Sequence, residues 1–244
     1  MTETAPTAAI LVIGDEILSG RTRDANMHFL AGALTDKGIA LREVRVISDD
    51  HAVIVRTVQQ LGAAYDHVFT SGGIGPTHDD ITADAVAAAF ATHIDVRDDA
   101  RARLAAHYAK SGTELNEARL RMARIPDGAS LIDNPVSAAP GFSLQNVHVM
   151  AGVPSVFQAM VASLLPSLTG GAPMLSESLR VIRPEGEIAG PLGQIATQFP
   201  DISFGSYPFI KDGVFGANIV VRGSDSGMLA QGVTALRAVF PDAA

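Results

Sequence analysis

Three pairs of carboxylates, Asp15 and Glu16, Asp49 and Asp50, and Asp79 and Asp80, each follow an apolar run of the chain. Two pairs follow almost directly; the third is reached through TSGGIGPTHDDIT, residues 70–82. Ligands of open α/β sheets bind beyond the carboxyl ends of the strands. Acids gathered at such an edge could hold Mg²⁺ against phosphate groups, because hard cations take oxygen ligands and Mg²⁺ is commonly bound through one or two carboxylates plus substrate oxygens. In the glycine-rich stretch, Gly72, Gly73 and Gly75 permit positive φ angles and close approach of a ligand. The N–H groups there, with the N-terminus of the following helix, could cradle a phosphate or carboxylate. No Gly-Lys-Ser/Thr follows, so it is not a P-loop, nor does it have the dinucleotide GxGxxG spacing. Each feature also has a plainer reading. The loop could be an ordinary strand-to-helix turn capped by Asp79, Asp15 and Glu16 a solvated acidic loop, and Ser48 or Asp49 the N-cap of the helix that follows.

The elements that must carry these residues are legible as alternating strands and helices. AAILVI, residues 8–13, is a continuous apolar run of the kind buried on both faces of a central strand. Residues 24–37 place Met27, Leu30, Ala31 and Leu34 at helical spacing before Gly38; Asn26 near the start could cap this helix or point into the site, and His28 reads as a surface residue. Residues 39–47 read as a second strand followed by the helix HAVIVRTVQQL, and residues 65–69 as a third strand, followed by the helix ITADAVAAAF. Thr92–Val96 is expected as an edge strand, then helices over residues 98–110 and 114–124. Arg119 and Arg121 on the second of these could approach an anion or remain solvated. Residues 129–133 read as a short strand, 134–142 as a rigid small-residue turn, 147–150 as a buried strand and 155–168 as a helix. The stretch PSLTGGAP, residues 166–173, is the clearest linker, beyond which a β-α-β-β-α pattern suits a small α/β unit. The expected domains are therefore 1–170 and 171–244.

Composition narrows the classes. A chain of 244 residues with 47% hydrophobic content can bury a substantial core, and only 5% aromatics with no Trp favours aliphatic helices on a mostly parallel sheet. The net charge of −8 argues against a nucleic-acid partner. The absence of Cys excludes a Cys-based zinc site or nucleophile. Without a membrane-length apolar run or a basic leader, the expectation is a cytosolic protein with no membrane partner.

The motifs GDEIL (14–18), Asn26, SDD (48–50), SGGIGPTHDDIT (71–82), NEARLRMARIPDGA (116–129), NPVSAAPGF (134–142) and AGVPSVFQAM (151–160) together resemble the N-terminal, molybdopterin-binding-like domain of the CinA family. That domain is related to the MogA/MoaB adenylyltransferases and to a domain of eukaryotic FAD synthase. The stretch from residue 175 resembles the small CinA middle domain, and no counterpart of the family's deamidase domain is expected within residues 1–244. The resemblance implies a three-layer α/β/α fold with a mostly parallel sheet and a second, smaller βαββα domain. It implies a metal-dependent nucleotide diphosphate hydrolase, cleaving ADP-ribose or a dinucleotide such as FAD to AMP and a phosphate ester. Its alternatives are molybdopterin adenylyl transfer and a non-catalytic nucleotide- or pterin-binding module. Asp49 and Asp80 fall on the acidic catalytic positions and, with Glu16 and Asp79, would hold Mg²⁺ or another divalent cation (Mn²⁺ or Co²⁺), with K⁺ a further candidate. The backbone of Ser71, Gly72, Gly73, Ile74 and Gly75 would bind the diphosphate, and Asn26, Asn134, Ser137 and Gly141 would line the remaining pocket. A homodimer or homotrimer is implied, with the dimer favoured. Two departures stand out: NPVSAAPG replaces the usual Asn-Pro-x-Gly-Thr-Ala-Pro-Gly, and Ala151 replaces a Pro.

Overall fold

The structure, a computed structural model, describes residues 5–211 and 213–243. The chain divides into two compact units, Met1–Gly171 and Ala172–Ala244.

In the first unit, β1 (Thr7–Ile13) is buried from Ala8 onward and runs into a single helical turn, α1 (Asp15–Leu18). There follow α2 (Asn26–Lys37), β2 (Ala40–Ile47), α3 (His51–Ala64), β3 (His67–Ser71), α4 (Thr82–Ala89), β4 (Ile94–Val96), α5 (Asp98–Ser111), α6 (Glu117–Leu120), β5 (Arg124–Pro126), β6 (Ser130–Ile132), β7 (Gly141–Leu144), β8 (Val147–Met150) and α7 (Pro154–Leu164). The main sheet has the order β2-β1-β3-β8-β7-β6. The first four strands are parallel, and β7 runs antiparallel to both its neighbours. One face packs Val68, Val147 and Val149 against Ile54, Val58 and Leu61 of α3 and Val86 of α4. The other packs Ile10, Val12 and Phe69 against Leu30 and Leu34 of α2 and Phe157 and Met160 of α7. A central strand covered on both faces needs apolar residues at every position, which is why β1 lacks alternation. The three-layer architecture with a mostly parallel sheet is as expected.

Three local expectations change. The expected edge strand at 92–96 is shorter and pairs antiparallel with β5 as a separate two-stranded ribbon, not with the main sheet. The expected helix over 114–124 is only the four residues of α6 and a 3-10 turn, Arg121–Ala123. Asn116 caps it by accepting from the Arg119 N–H at 3.0 Å, and Pro126 biases the preceding residues to extended backbone. The expected turn over 134–142 already contains the start of β7, hairpin-paired to β8 around Gln145, whose φ is +52°. Asn146 fixes that hairpin by donating from Nδ2 to the carbonyls of Gly62 and Tyr65, both at 2.9 Å.

On the α2/α7 side of the sheet, His148 is 4% exposed. Burial, with the neighbouring His67 adding to it, pushes its imidazole down to about 4. An exposed imidazole in the unfolded chain titrates near 6.5, so between these values the unfolded state binds the extra proton. Stability tied to the neutral ring is intact above about pH 6.5 and falls as pH drops towards 4, by roughly 3 kcal/mol in total. The first unit of His148→Gln is accordingly expected to lose less melting temperature than wild type between pH 7 and pH 4.5. Parallel curves in a thermal scan would contradict this.

The second unit is β9 (Leu175–Val181), α8 (Glu185–Gln198), β10 (Ser203–Lys211), β11 (Val214–Gly223) and α9 (Ser226–Val239). Its strands form an antiparallel sheet in the order β10-β11-β9, with Leu179, Val181, Ile219 and Val221 packed on Ile188, Ile195, Leu229 and Leu236. The expected βαββα order is present. β10 runs through Pro208, which it tolerates because β10 is an edge strand.

Candidate functional site

The parallel pairing of β2, β1 and β3 brings their carboxyl ends to one edge, with Ile13 opposite Ile47 and Val12 opposite Ser71. Of the acids after β2, Asp50 caps α3, accepting from the Val53 N–H at 2.9 Å. Neither Ser48 nor Asp49 serves as the cap. Asp49 instead turns to the end of β1, its Oδ2 accepting from the Asp15 N–H at 3.0 Å. Its carboxyl is raised above the usual range by burial first, against the pull of the Asp15 N–H, and then by the charges of Asp15, Glu16 and Asp79. The three strand ends therefore do share one acidic patch. Glu16 folds back over Gly14, where a Cβ would lie 2.6 Å from its carboxylate.

The glycine-rich stretch is a tight loop rather than a capped turn. α4 begins without a side-chain cap, and Asp79 is exposed. Gly72 and Gly73 have φ of 109° and 71°, and a Cβ on Gly72 would sit 2.3 Å from the Ile13 carbonyl. Only glycine fits that crossing. The Gly72 N–H donates to the Met150 carbonyl at 3.1 Å, and the Thr82 N–H to the Gly73 carbonyl at 2.9 Å. Ser71 ends β3 and Gly72 is engaged, so the cradle narrows to the N–H groups of Gly73, Ile74 and Gly75, which donate to no described atom. Asp80 is held inside the turn, its Oδ2 accepting from the Thr77 N–H at 2.8 Å and the Thr77 hydroxyl at 2.5 Å.

Asn26 is buried and ties two strand ends together, donating from Nδ2 to Ser71 Oγ and to the Gly152 carbonyl, both at 2.7 Å. Capping of α2 falls to Asp24, which accepts from the Asn26 and Met27 N–H groups at 3.3 and 3.0 Å. Among the described residues, the buried Oδ1 of Asn26 has no partner; nor do Thr82 Oγ1, which lies against Gly73, and Arg121 Nε. Arg121 donates from Nη2 to the Asp80 carbonyl at 3.2 Å and, with Gly75, Asp80, Pro140 and Phe142, lines a cavity of about 20 Å³, room for roughly one water. Buried polar groups are normally satisfied, so three orphans around one loop mark a place built for something polar. Thr82 is a site residue that the sequence does not reveal, and Asp15 takes part through its N–H as well as its charge. That hydroxyl and that N–H are placed by contacts with Gly73 and Asp49, for which sequence spacing offers no signal.

Asn134, Ser137 and Gly141 have a different part. Asn134 accepts from the N–H groups of Val136 and Ser137 at 3.0 and 3.2 Å and donates to Ser137 Oγ and the Ala139 carbonyl at 2.6 and 2.8 Å. Its hydrogen bonds thus shape its own loop, and Gly141 lets β7 pass the Val149 carbonyl, 2.4 Å from where a Cβ would stand. Pro140 and Phe142 are what that loop brings to the cavity beside Gly75. One of the two departures from the family pattern finds a local explanation, and the other carries strain. Ala151 donates its N–H to Met160 Sδ at 3.5 Å, a bond Pro could not make. Ala138 sits at φ 61°, a conformation costing about 1–2 kcal/mol for a residue with a Cβ. Ala138→Gly is therefore expected to raise the melting temperature of the first unit by about 2–4 °C, read by calorimetry; a lowered value would show that the loop holds no strain.

Among the described residues, no three His, Asp or Glu side chains converge as a ready-made metal cage. The donors present suit a hard cation held by one or two carboxylates and completed by substrate oxygens. No described helix is long and apolar enough to cross a membrane.

Comparison with known proteins follows this division of the chain. Residues 9–170 match the family described as probable molybdopterin binding domain, and residues 173–244 match the FAD synthase middle domain. The chain is 36% identical over 256 residues to a probable FAD synthase of Caenorhabditis elegans, covering 95% of this chain and 49% of that protein. It spans about half the length of the curated FAD synthases it matches. A protein of Archaeoglobus fulgidus is 32% identical over 199 residues, covering 82% of this chain and 84% of its own length. The crystal structure of a CinA protein of unknown function from Thermoplasma acidophilum superposes with a TM-score of 0.61 at 33% identity, covering 68% of this chain and 99% of that one. The chain belongs, on its residues 9–170, to the molybdopterin-binding-domain family, and is similar to CinA proteins and FAD synthases.

Proposed function

We propose that the first unit is a metal-dependent nucleotide diphosphate hydrolase, cleaving ADP-ribose or a similar dinucleotide such as FAD to AMP and a phosphate ester. The observation that carries this reading is the meeting, at one sheet edge, of three loop N–H groups free of described partners with an acidic patch whose Asp49 is pushed upward by burial and then by its acidic neighbours. An anion cradle beside unpaired carboxylates is a contradiction unless a cation lies between them, and a diphosphate with its divalent ion is the ligand that resolves it. Asp49 would be the principal ligand of Mg²⁺, Mn²⁺ or Co²⁺, with Glu16 and Asp79 near it. When bound, the ion would supply Lewis acidity to the phosphoryl oxygens.

The residues of the chain do the rest. Gly73, Ile74 and Gly75 hold the diphosphate oxygens through their N–H groups, whose hydrogen bonds to an anion are of the strong, charge-assisted kind. Asp80, fixed by Thr77, orients the attacking water and accepts its proton, and Arg121 steadies the Asp80 backbone from behind. Asn26 keeps Ser71 and Gly152 in register so that the cradle stays open.

A second reading is favoured by the likeness to probable FAD synthases. Adenylyl transfer forms the same kind of diphosphate bond from a nucleotide and an acceptor phosphate, as in the molybdopterin alternative, and would use the same cradle. Either reading predicts that ADP-ribose or FAD with Mg²⁺ stabilises the first unit, by about 2.7 kcal/mol at a hundredfold excess over Kd. A melting curve unmoved by nucleotide and metal together would count against both.

A further inference from the structure

A row of polar side chains crosses the sheet on its α2/α7 face, away from the glycine loop. His67 opens β3, whereas the loop leaves the other end of that strand after Ser71. His67 Nδ1 lies 3.2 Å from His148 Nε2, and His148 Nδ1 lies 2.8 Å from Ser143 Oγ. Ser130 stands opposite Ser143 in the register of β6 and β7. The row interrupts a core made of Phe69, Ile132, Phe157 and Met160, with the His148 ring packed on Phe69 at 5.1 Å between centroids. It ends in a groove of about 450 Å³ lined by Ser130, Asp133, Ser143, His148, Ser163 and Ser167. His148 is 4% exposed, while Ser143 is half-buried and reaches the groove. Every contact is satisfied by one tautomer. Ser143 donates its hydroxyl proton to His148 Nδ1, His148 donates from Nε2 to His67 Nδ1, and the half-buried His67 keeps its own proton on Nε2. This is the order of a nucleophile, a base and the group that orients the base.

We propose that this groove is a second, metal-independent site, at which Ser143 accepts an acyl group from a small activated ester with His148 as the base and His67 as its positioning partner. Ser143 Oγ attacks the carbonyl carbon and its proton passes to His148 Nδ1. The bond to the leaving oxygen breaks with its electron pair, and the leaving group departs as the alkoxide or takes that proton. Water then attacks the acyl-serine, releasing the acid and restoring the Ser143 hydroxyl. Burial keeps His148 unprotonated at neutral pH, so its acceptor nitrogen is available. A weakly basic imidazole removes the serine proton only as attack proceeds, which suits an activated ester carbonyl rather than an amide.

The test treats the full chain, in EDTA, with p-nitrophenyl acetate and with a small fluorophosphonate, following nitrophenolate release and mapping the adduct by mass spectrometry. The expected result is a single adduct on Ser143, absent in Ser143→Ala. The rate should fall at least about 10-fold in His67→Phe and recover in His67→Gln, which keeps an acceptor for His148. Melting curves of the variants establish that each is folded. An unlabelled Ser143 in wild type, or equal rates in the Phe and Gln variants, would overturn the proposal. Because EDTA removes divalent ions, neither outcome bears on nucleotide hydrolysis.

Discussion

Asp49→Asn is expected to raise the melting temperature of the metal-free protein while lowering metal-dependent AMP release at least about 10²-fold, the scale of a lost catalytic group. The two effects have one cause. Asp49 is held above the ordinary carboxylate range by burial and by the charges of Asp15, Glu16 and Asp79, so its ionised form is disfavoured by folding. The stability it contributes belongs to its protonated form and is lost as pH rises through the folded pKa. At neutral pH its charge therefore opposes folding. An amide keeps an oxygen to accept from the Asp15 N–H and removes the charge. A gain of a few degrees, read by calorimetry in EDTA, should shrink when wild type is given excess Mg²⁺. Equal melting temperatures without metal would mean that the patch carries no electrostatic tension. The substitution would then retain only its catalytic prediction.

The largest loss of stability is expected from Gly72→Ala, about 3 kcal/mol or more in the first unit. A residue with a Cβ held at positive φ costs on the order of 1–3 kcal/mol, and an overpacked contact adds a similar amount. The contact cannot relax cheaply, because the obstructing atom is the Ile13 carbonyl, 2.3 Å from the added Cβ. The loop is also pinned by the Gly72 bond to Met150 and by Gly152, whose own Cβ would lie 3.2 Å from Gly72 Cα. At about 2–4 °C per kcal/mol for a unit of this size, the variant should melt many degrees lower. A variant that melts with wild type would show that the 72–75 turn is free to move, and a rigid anion cradle would lose its basis.

What the sequence revealed of this site follows from what is local. The uninterrupted apolar run of β1, the glycines after β3 and the acids after three strands are short-range patterns, and they put the site at the right edge of the sheet. Assignments among neighbours were harder. Ser48, Asp49 and Asp50 are all good caps, and only the extended backbone at Asp50, φ −112° and ψ 121°, decides between them. Asn134 has the residue type of a ligand-binding amide, but its four bonds within the loop at 134–139 emerge only from the backbone path. The unpartnered Thr82 Oγ1 and Arg121 Nε, and the row from His67 to Ser130, depend on which strands and loops lie side by side. His67 and His148 are 81 residues apart in sequence, and no periodicity joins them.

The most direct test is release of AMP from ADP-ribose and FAD by the purified protein with Mg²⁺, Mn²⁺ and Co²⁺ in turn, beside Asp80→Asn. The Asn side chain can still accept from Thr77, so the variant should fold as wild type does. AMP released only with metal, and reduced at least about 10²-fold in Asp80→Asn, is the predicted result. AMP release by Asp80→Asn at the wild-type rate, or none from wild type with any of the three ions, would contradict the assignment of this sheet edge as a diphosphate hydrolase.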